Sequence, residues 1–115
     1  MTRPQGFEEQ EQPRLDLQGA FIRRTSLRRA NLTEANLSRA DCRWADFTGA
    51  NLTGANLEGT NLENALLHKV DFRSARLKGA NLSGADLTGA INLTAEQVRQ
   101  AVIDAATILP GGLVI

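Results

Sequence analysis

Large apolar residues recur every five positions from Leu17 to Leu87, and almost everything between them is small or polar. The centres of these units are Leu17, Ile22, Leu27, Leu32, Leu37, Cys42, Phe47, Leu52, Leu57, Leu62, Leu67, Phe72, Leu77, Leu82 and Leu87, and all 15 are apolar. Two positions before the centre stands Ala in 11 of the 15 units, with Leu15, Thr25, Thr60 and Val70 as exceptions. Between the two stands Asp or Asn, again in 11 units, with Phe21, Ser26, Leu66 and Arg76 as exceptions. The two positions after the centre are mostly Arg, Thr, Ser, Glu and Gly. Each unit therefore points one large and one small residue inward and three residues outward.

A period of five fits neither regular element. On an α-helix a five-residue step rotates the centre by about 140°, which scatters the centres around the cylinder. On a flat strand an odd step puts successive centres on opposite faces. A chain that turns a corner after every five residues meets the pattern, because the small residue and the centre, two apart, then share a face. Gly at the fifth slot (Gly49, Gly54, Gly59, Gly79, Gly84, Gly89) eases such a corner. The recurring Asp and Asn are turn formers whose side chains bond nearby backbone groups.

This pattern, A(D/N)LXX, resembles the pentapeptide-repeat proteins; Ala35-Asn36-Leu37-Ser38-Arg39 and Ala85-Asp86-Leu87-Thr88-Gly89 match it fully. The resemblance covers Leu15 to Gly89. It implies an all-β solenoid, a right-handed quadrilateral β-helix with four units per coil and hence about four coils. A 20-residue step then stacks Leu17, Leu37, Leu57 and Leu77 on one wall. Ile22, Cys42, Leu62 and Leu82 fall on the second, Leu27, Phe47, Leu67 and Leu87 on the third, and Leu32, Leu52 and Phe72 on the fourth.

The chain divides into a flexible polar tail at 1–13, a repeat region at 14–91, and a helical cap and tail at 92–115. Phe7 is the tail's only large apolar residue and a candidate to fold back over the first coil. Thr94-Ala95-Glu96-Gln97 reads as a capping box. Val98, Ala101, Val102 and Ala105 continue it as an apolar stripe at helical spacing, predicting a capping α-helix from about Ala95 to Ala105. The family carries similar C-terminal ends. The final Leu113-Val114-Ile115 completes the cap, adds to a dimer contact or is disordered; a homodimer stays open.

Composition narrows the chemistry. Among 115 residues, 13 basic and 13 acidic side chains cancel. The single cysteine, Cys42, excludes an internal disulfide framework and a cysteine zinc site, and its place in a centre slot predicts a small buried residue. No secretory h-region and no apolar run of membrane-spanning length is present, so the expectation is a cytoplasmic protein that does not enter a membrane. His68, the only histidine, occupies an outward slot and reads as solvated; Asp41, Asp46, Asp71 and Asp86 occupy the turn-forming slot. No catalytic set, metal site or cofactor site emerges, and the chain does not read as an enzyme.

The departures from the repeat are more telling. Arg23, Arg24, Arg28 and Arg29 cluster in the first coil, with Arg39 and Arg43 in the second. The 20-residue step lays Arg23 by Arg43 and Arg24 by Trp44, the only tryptophan, beside Phe21 in its irregular slot. Phe21, Arg23, Arg24, Arg43 and Trp44 thus form a candidate partner-binding face, since Arg and Trp are enriched where proteins grip one another. An Arg24–Trp44 cation–π contact is the purely structural alternative. The leading functional reading is a non-catalytic protein–protein interaction scaffold of unknown partner. Two others stand beside it. Some relatives modulate DNA gyrase by imitating duplex DNA, but those are elongated acidic dimers, whereas this chain has no net charge. An arginine patch is also compatible with nucleic-acid binding, which the balanced charge disfavours.

Overall fold

The computed structural model describes residues 14–115; the tail assigned to 1–13 lies outside the described residues. Single-residue parallel bridges join equivalent slots of successive coils, from Asp16 with Asn36 through to Asp71 with Ile91. A turn falls within every five-residue unit. Four units therefore make one coil, and coils stack in register along the axis.

Up to three bonds per unit build this ladder. The centre N–H donates to the carbonyl just before its equivalent in the next coil, as Leu37 does to Asn56 at 2.8 Å. The fifth-slot N–H does likewise, as Arg39 does to Glu58 at 3.0 Å. The Asp/Asn-slot N–H donates to the carbonyl just before its equivalent in the preceding coil, as Asn56 does to Ala35 at 2.9 Å. Each corner is closed locally by a further bond, from the small residue to the preceding centre, as Ala40 to the Leu37 carbonyl at 3.0 Å.

The corner also fixes dihedral angles. The fifth slot takes a positive φ in all 15 units, from 56° at Arg24 to 74° at Gly89. Only seven of those slots hold Gly; the other eight carry side chains, five of them being Arg24, Arg29, Glu34, Arg39 and Trp44 in the first two coils. A side chain in the left-handed region costs about 1–2 kcal/mol, so the stack imposes the corner whatever residue occupies it. The Asp or Asn slot supports the turn. Its Oδ1 accepts the backbone N–H two residues on in all 11 units that have one, with Asp46 to Thr48 at 2.9 Å and Asn51 to Thr53 at 2.9 Å as typical cases.

The core is the tube interior. Every centre from Leu32 to Leu87 is essentially buried, Phe47 and Phe72 included. Cys42 is fully buried, and burial, followed by the neighbouring Asp41 charge, pushes its thiol up to about 12. Thr60, in a slot otherwise favouring Ala, buries its hydroxyl by donating to the Leu37 carbonyl at 2.6 Å. The first coil is more open: Leu17, Ile22 and Leu27 are only partly buried and Thr25 is exposed.

The C-terminal segment departs from expectation. Helix α1 spans only Ala95–Gln100, not Ala95 to Ala105, and of the proposed stripe Val98 alone is buried while Val102 and Ala105 are exposed. Beyond Ala101 the chain returns to the ladder: Val102 bridges Asn81 and Ile108 bridges Asp86. Ala101-Val102-Ile103 and Thr107-Ile108-Leu109 act as two irregular sides of a further coil, with Ile103 and Leu109 turned onto the core. Two causes favour this over a longer helix. The last regular coil presents unpaired backbone groups that must be satisfied, and Val102 and Ile103 are β-branched, which disfavours helix. Asp104 forms the corner between the two sides, with its Oδ1 accepting from the N–H groups of Gly84, Ala106 and Thr107.

Within α1, Thr94 and Gln97 form a reciprocal capping box. Gln97 does more than cap the helix. Its Nε2 donates to the Phe72 and Ala75 carbonyls at 2.8 and 2.9 Å. By the ladder rule the Ala75 carbonyl awaits a main-chain N–H from residue 96; a side-chain amide takes its place. Among the described residues no helix is long and apolar enough to cross a membrane.

Outside the tube, charges pair along a diagonal from the slot after one centre to the Asp/Asn slot of the next coil. Arg23 meets Asp41 at 2.7 Å, Arg28 meets Asp46 at 3.1 Å, and His68 Nε2 lies 2.7 Å from Asp86 Oδ2. The histidine is thus half-buried against a carboxylate rather than freely solvated. Several carboxyls are held below the usual range. Asp46 is lowered chiefly by the Thr48 hydroxyl, Asp71 by the Asn92 amide, Asp86 by the Thr88 hydroxyl and then His68, and Asp104 by the Gly84 N–H.

Two outcomes follow for stability. Leu57→Ala, in a middle coil, costs about 2–5 kcal/mol in urea unfolding, and Leu17→Ala, half-open at the end, costs about half as much or less; equal losses would contradict a stack of neighbouring coils. The lowered carboxyls stabilise the fold above the unfolded-state value near pH 3.9, roughly. That contribution disappears as pH falls through their lower folded values. The melting temperature should therefore fall below about pH 4 on account of these groups, and Asp46→Asn, which keeps the Oδ1 acceptor, should flatten the decline.

Candidate interaction surface

The side centred on Ile22 and Cys42 carries the five residues singled out in the sequence. Phe21 occupies the slot in which Asp41 and Asn61 follow on the coils above, and the Phe21–Asp41 bridge fixes their register. Arg23 and Arg43 occupy successive positions of the next column; Arg24 and Trp44 occupy successive corners, with φ of 56° and 63°. The ladder ties these corners together through the Arg24 N–H, which donates to the Arg43 carbonyl at 3.0 Å.

One carboxylate organises two of the arginines. Asp41 Oδ2 accepts from Arg23 Nε at 2.7 Å and from Arg43 Nη2 at 2.9 Å, while its Oδ1 accepts from Arg43 Nε at 2.9 Å. The Arg43 guanidinium is thereby gripped at two nitrogens, a geometry that holds it in a fixed plane. Arg24 lies over the Trp44 ring, 5.4 Å from its centroid. The stack leaves the rings accessible: Trp44 remains 52% exposed and Phe21 88% exposed.

Arg23, Arg24, Arg43 and Trp44, joined by Glu63 of the third coil, line a cleft of about 120 Å³. Glu63 went unnoticed in the sequence because it follows the ordinary pattern; a 20-residue step from Arg43 would have found it. Phe21 lies outside the cleft lining, on the same side of the rod. The cleft edge carries three guanidinium groups, and Asp41 and Glu63 supply two carboxylates. Arg28 is drawn away to Asp46 on the neighbouring side, and Arg29 and Arg39 stand at other corners. A wider polar groove of about 480 Å³, bordered by Ser38, Arg39, Glu58 and Lys78, follows another side and has no signal in the sequence. Among the described residues no group of His, Cys, Asp and Glu could hold a metal ion.

Among curated proteins, none matches this chain. Among solved structures, the pentapeptide repeat protein Rfr23 from the cyanobacterium Cyanothece 51142 is 27% identical with a TM-score of 0.79, over 90% of this chain and 69% of that one. The pentapeptide repeat protein alr5209 from Nostoc PCC 7120 is 25% identical, with a TM-score of 0.48 over 86% of this chain and 69% of that one. HetL, a pentapeptide repeat protein involved in heterocyst differentiation regulation from Nostoc sp. strain PCC 7120, is 31% identical; the match covers 81% of this chain and 51% of HetL, with a TM-score of 0.39. The family model for pentapeptide repeats matches in eight copies across 16–54, 25–64 and 55–91. That span coincides with the units whose corners, side-chain turns and coil-to-coil ladder are described above, and the chain belongs to the pentapeptide repeat family.

Proposed function

We propose that this protein is a non-catalytic protein–protein interaction module: a rigid, right-handed, four-sided β-helix that presents Phe21, Arg23, Arg24, Arg43 and Trp44 to a protein partner, with its C-terminal segment as the cap. The observation that carries this reading is the pairing of two exposed aromatic residues with three arginines on one side of two adjacent coils. Aromatic and Arg side chains supply most of the energy in protein contacts.

Preorganisation supports the same face. Asp41 fixes the Arg23 and Arg43 heads, and the Trp44 ring carries Arg24. Side chains already ordered in the free protein lose less entropy on binding. Arg24 and Trp44 also stand at corners where Gly would relieve backbone strain, and strain retained in a fold gathers at sites of function. A partner surface bearing carboxylates or aromatic rings is the chemistry this face would accept.

The test is capture from the native host's extract on immobilised protein, comparing wild type with the Arg24→Ala/Trp44→Ala double variant. A specific partner is expected to bind wild type and to be lost from the variant while its circular dichroism spectrum stays unchanged. Undiminished capture of that partner by the folded variant would overturn the assignment of this face.

A further inference from the structure

Four units depart from the Asp/Asn slot, and each departure leaves a main-chain donor behind. Where Asp or Asn is present, its Oδ1 accepts the N–H two residues on. Where Phe21, Ser26, Leu66 and Arg76 stand instead, the N–H groups of Arg23, Arg28, His68 and Lys78 have no acceptor among the described residues. One of these four residues, Arg23, lines the cleft of the candidate interaction surface, beside the exposed Phe21.

The next coil shows what a carboxylate does in that slot. Asp41, bridged to Phe21 one coil on, takes the Arg43 N–H on Oδ1 at 3.4 Å. The same oxygen accepts from Arg43 Nε at 2.9 Å, and Oδ2 accepts from Arg43 Nη2 at 2.9 Å. One carboxylate thus holds both the main chain and the guanidinium of the residue two positions on. Arg23 has no such group in its own unit. It reaches across to Asp41 through Nε alone, at 2.7 Å, and its Nη groups form no bond among the described residues.

The charges agree. Three cations, Arg23, Arg24 and Arg43, stand against two carboxylates, Asp41 and Glu63, an excess of one positive charge. Arg24 lies over Trp44 and forms no ion pair among the described residues. On the neighbouring side Arg28 shares the unpaired N–H, but Ser26 fills the slot there and that side has no exposed aromatic ring.

We infer that this face takes an acidic side chain of its protein partner. An Asp or Glu carboxylate accepts from the Arg23 N–H and Nη groups, in the position relative to Arg23 that Asp41 holds relative to Arg43, and the adjoining partner surface lies against the Phe21 and Trp44 rings. This rests on the reading of the face as a protein contact. A carboxylate bonded to a guanidinium forms the stronger, charge-assisted kind of hydrogen bond, and a main-chain donor fixed by the coil loses little freedom when it binds.

The first test needs no partner. The isotope-labelled full chain is titrated at fixed pH with acetyl-Asp-Phe-amide and, separately, with acetyl-Asn-Phe-amide, and its amide signals are followed by NMR. The Arg23 amide is expected to shift saturably with the acidic peptide and little with the neutral one. The His68 amide, also unpaired but on a residue without a guanidinium, should stay still. Phe21→Asp restores the residue type that the repeat uses; it should move the Arg23 amide in the same direction by itself and abolish the response to the acidic peptide. Equal responses to the two peptides, or none at Arg23, would refute the carboxylate site.

The second test compares Phe21→Ala and Phe21→Asp in binding the partner captured on wild-type protein. Both variants lose the ring, but only Phe21→Asp occupies the site, so it should bind about tenfold or more weakly than Phe21→Ala, the effect of one charge-assisted bond. Equal affinities, with binding lost in Arg24→Ala/Trp44→Ala, would keep the face as a protein contact and remove its acidic occupant. Undiminished binding by that double variant would remove the face itself.

Discussion

Everything in this molecule rests on the corner. Each unit turns once, through a residue of positive φ and a bond from the next small residue back to the centre. Because the turn falls at a fixed interval, four units bring the chain back above itself and the ladder can form. The dependence runs both ways. Eight corner residues other than Gly lie in a backbone region that isolated side chains avoid, and the ladder bonds between coils hold them there. A solenoid of this kind has no single nucleus of stability; each coil is held by the ones above and below.

Its ends are therefore the difficult places. At the C-terminus the last regular coil is met by a mixture of devices. One short helix inserts Val98, a glutamine amide stands in for a missing main-chain donor, and two irregular sides bring Val102 and Ile108 into the ladder. None of these follows the repeat, and each satisfies groups that the repeat leaves open. The N-terminal coil has partly exposed centres, and its Ser26 N–H and carbonyl have no partner among the described residues. The contrast gives the rod a polarity: beyond the last regular coil Val102 and Ile108 extend the ladder, whereas at the first coil the Ser26 groups have no partner among the described residues.

The surface inherits the regularity of the backbone. Outward positions fall on a grid, so that two residues far apart in sequence become neighbours one coil on or along the diagonal. Asp41 shows how one slot serves two purposes: its Oδ1 accepts the Arg43 N–H in the turn, and its oxygens also grip the Arg23 and Arg43 heads. Corners with side chains crowd the first two coils, whereas Gly recurs through much of the later repeat. The proposed binding face lies where the backbone carries this strain, and the regular coils beyond it supply the rigidity on which that face depends.

The family resemblance added the four units per coil that set the walls of the core; the sequence alone determined the corner interval and the inward and outward positions. It did so because Leu17 to Leu87 obey one local rule and because a period of five admits no ordinary helix or strand. It also brought together Phe21, Arg23, Arg24, Arg43 and Trp44, since these follow from the coil-length step. Other features were decided only in three dimensions. The diagonal that carries Arg23 to Asp41 and His68 to Asp86 depends on how long side chains lean between coils. Glu63 lies one coil-length step from Arg43, but only the folded surface shows that it lines the cleft. At Ala101 to Leu109 the apolar spacing suited a helix, yet the unpaired edge of the coil beneath pulled the chain into the ladder, because buried backbone groups demand partners more strongly than local propensity demands a helix.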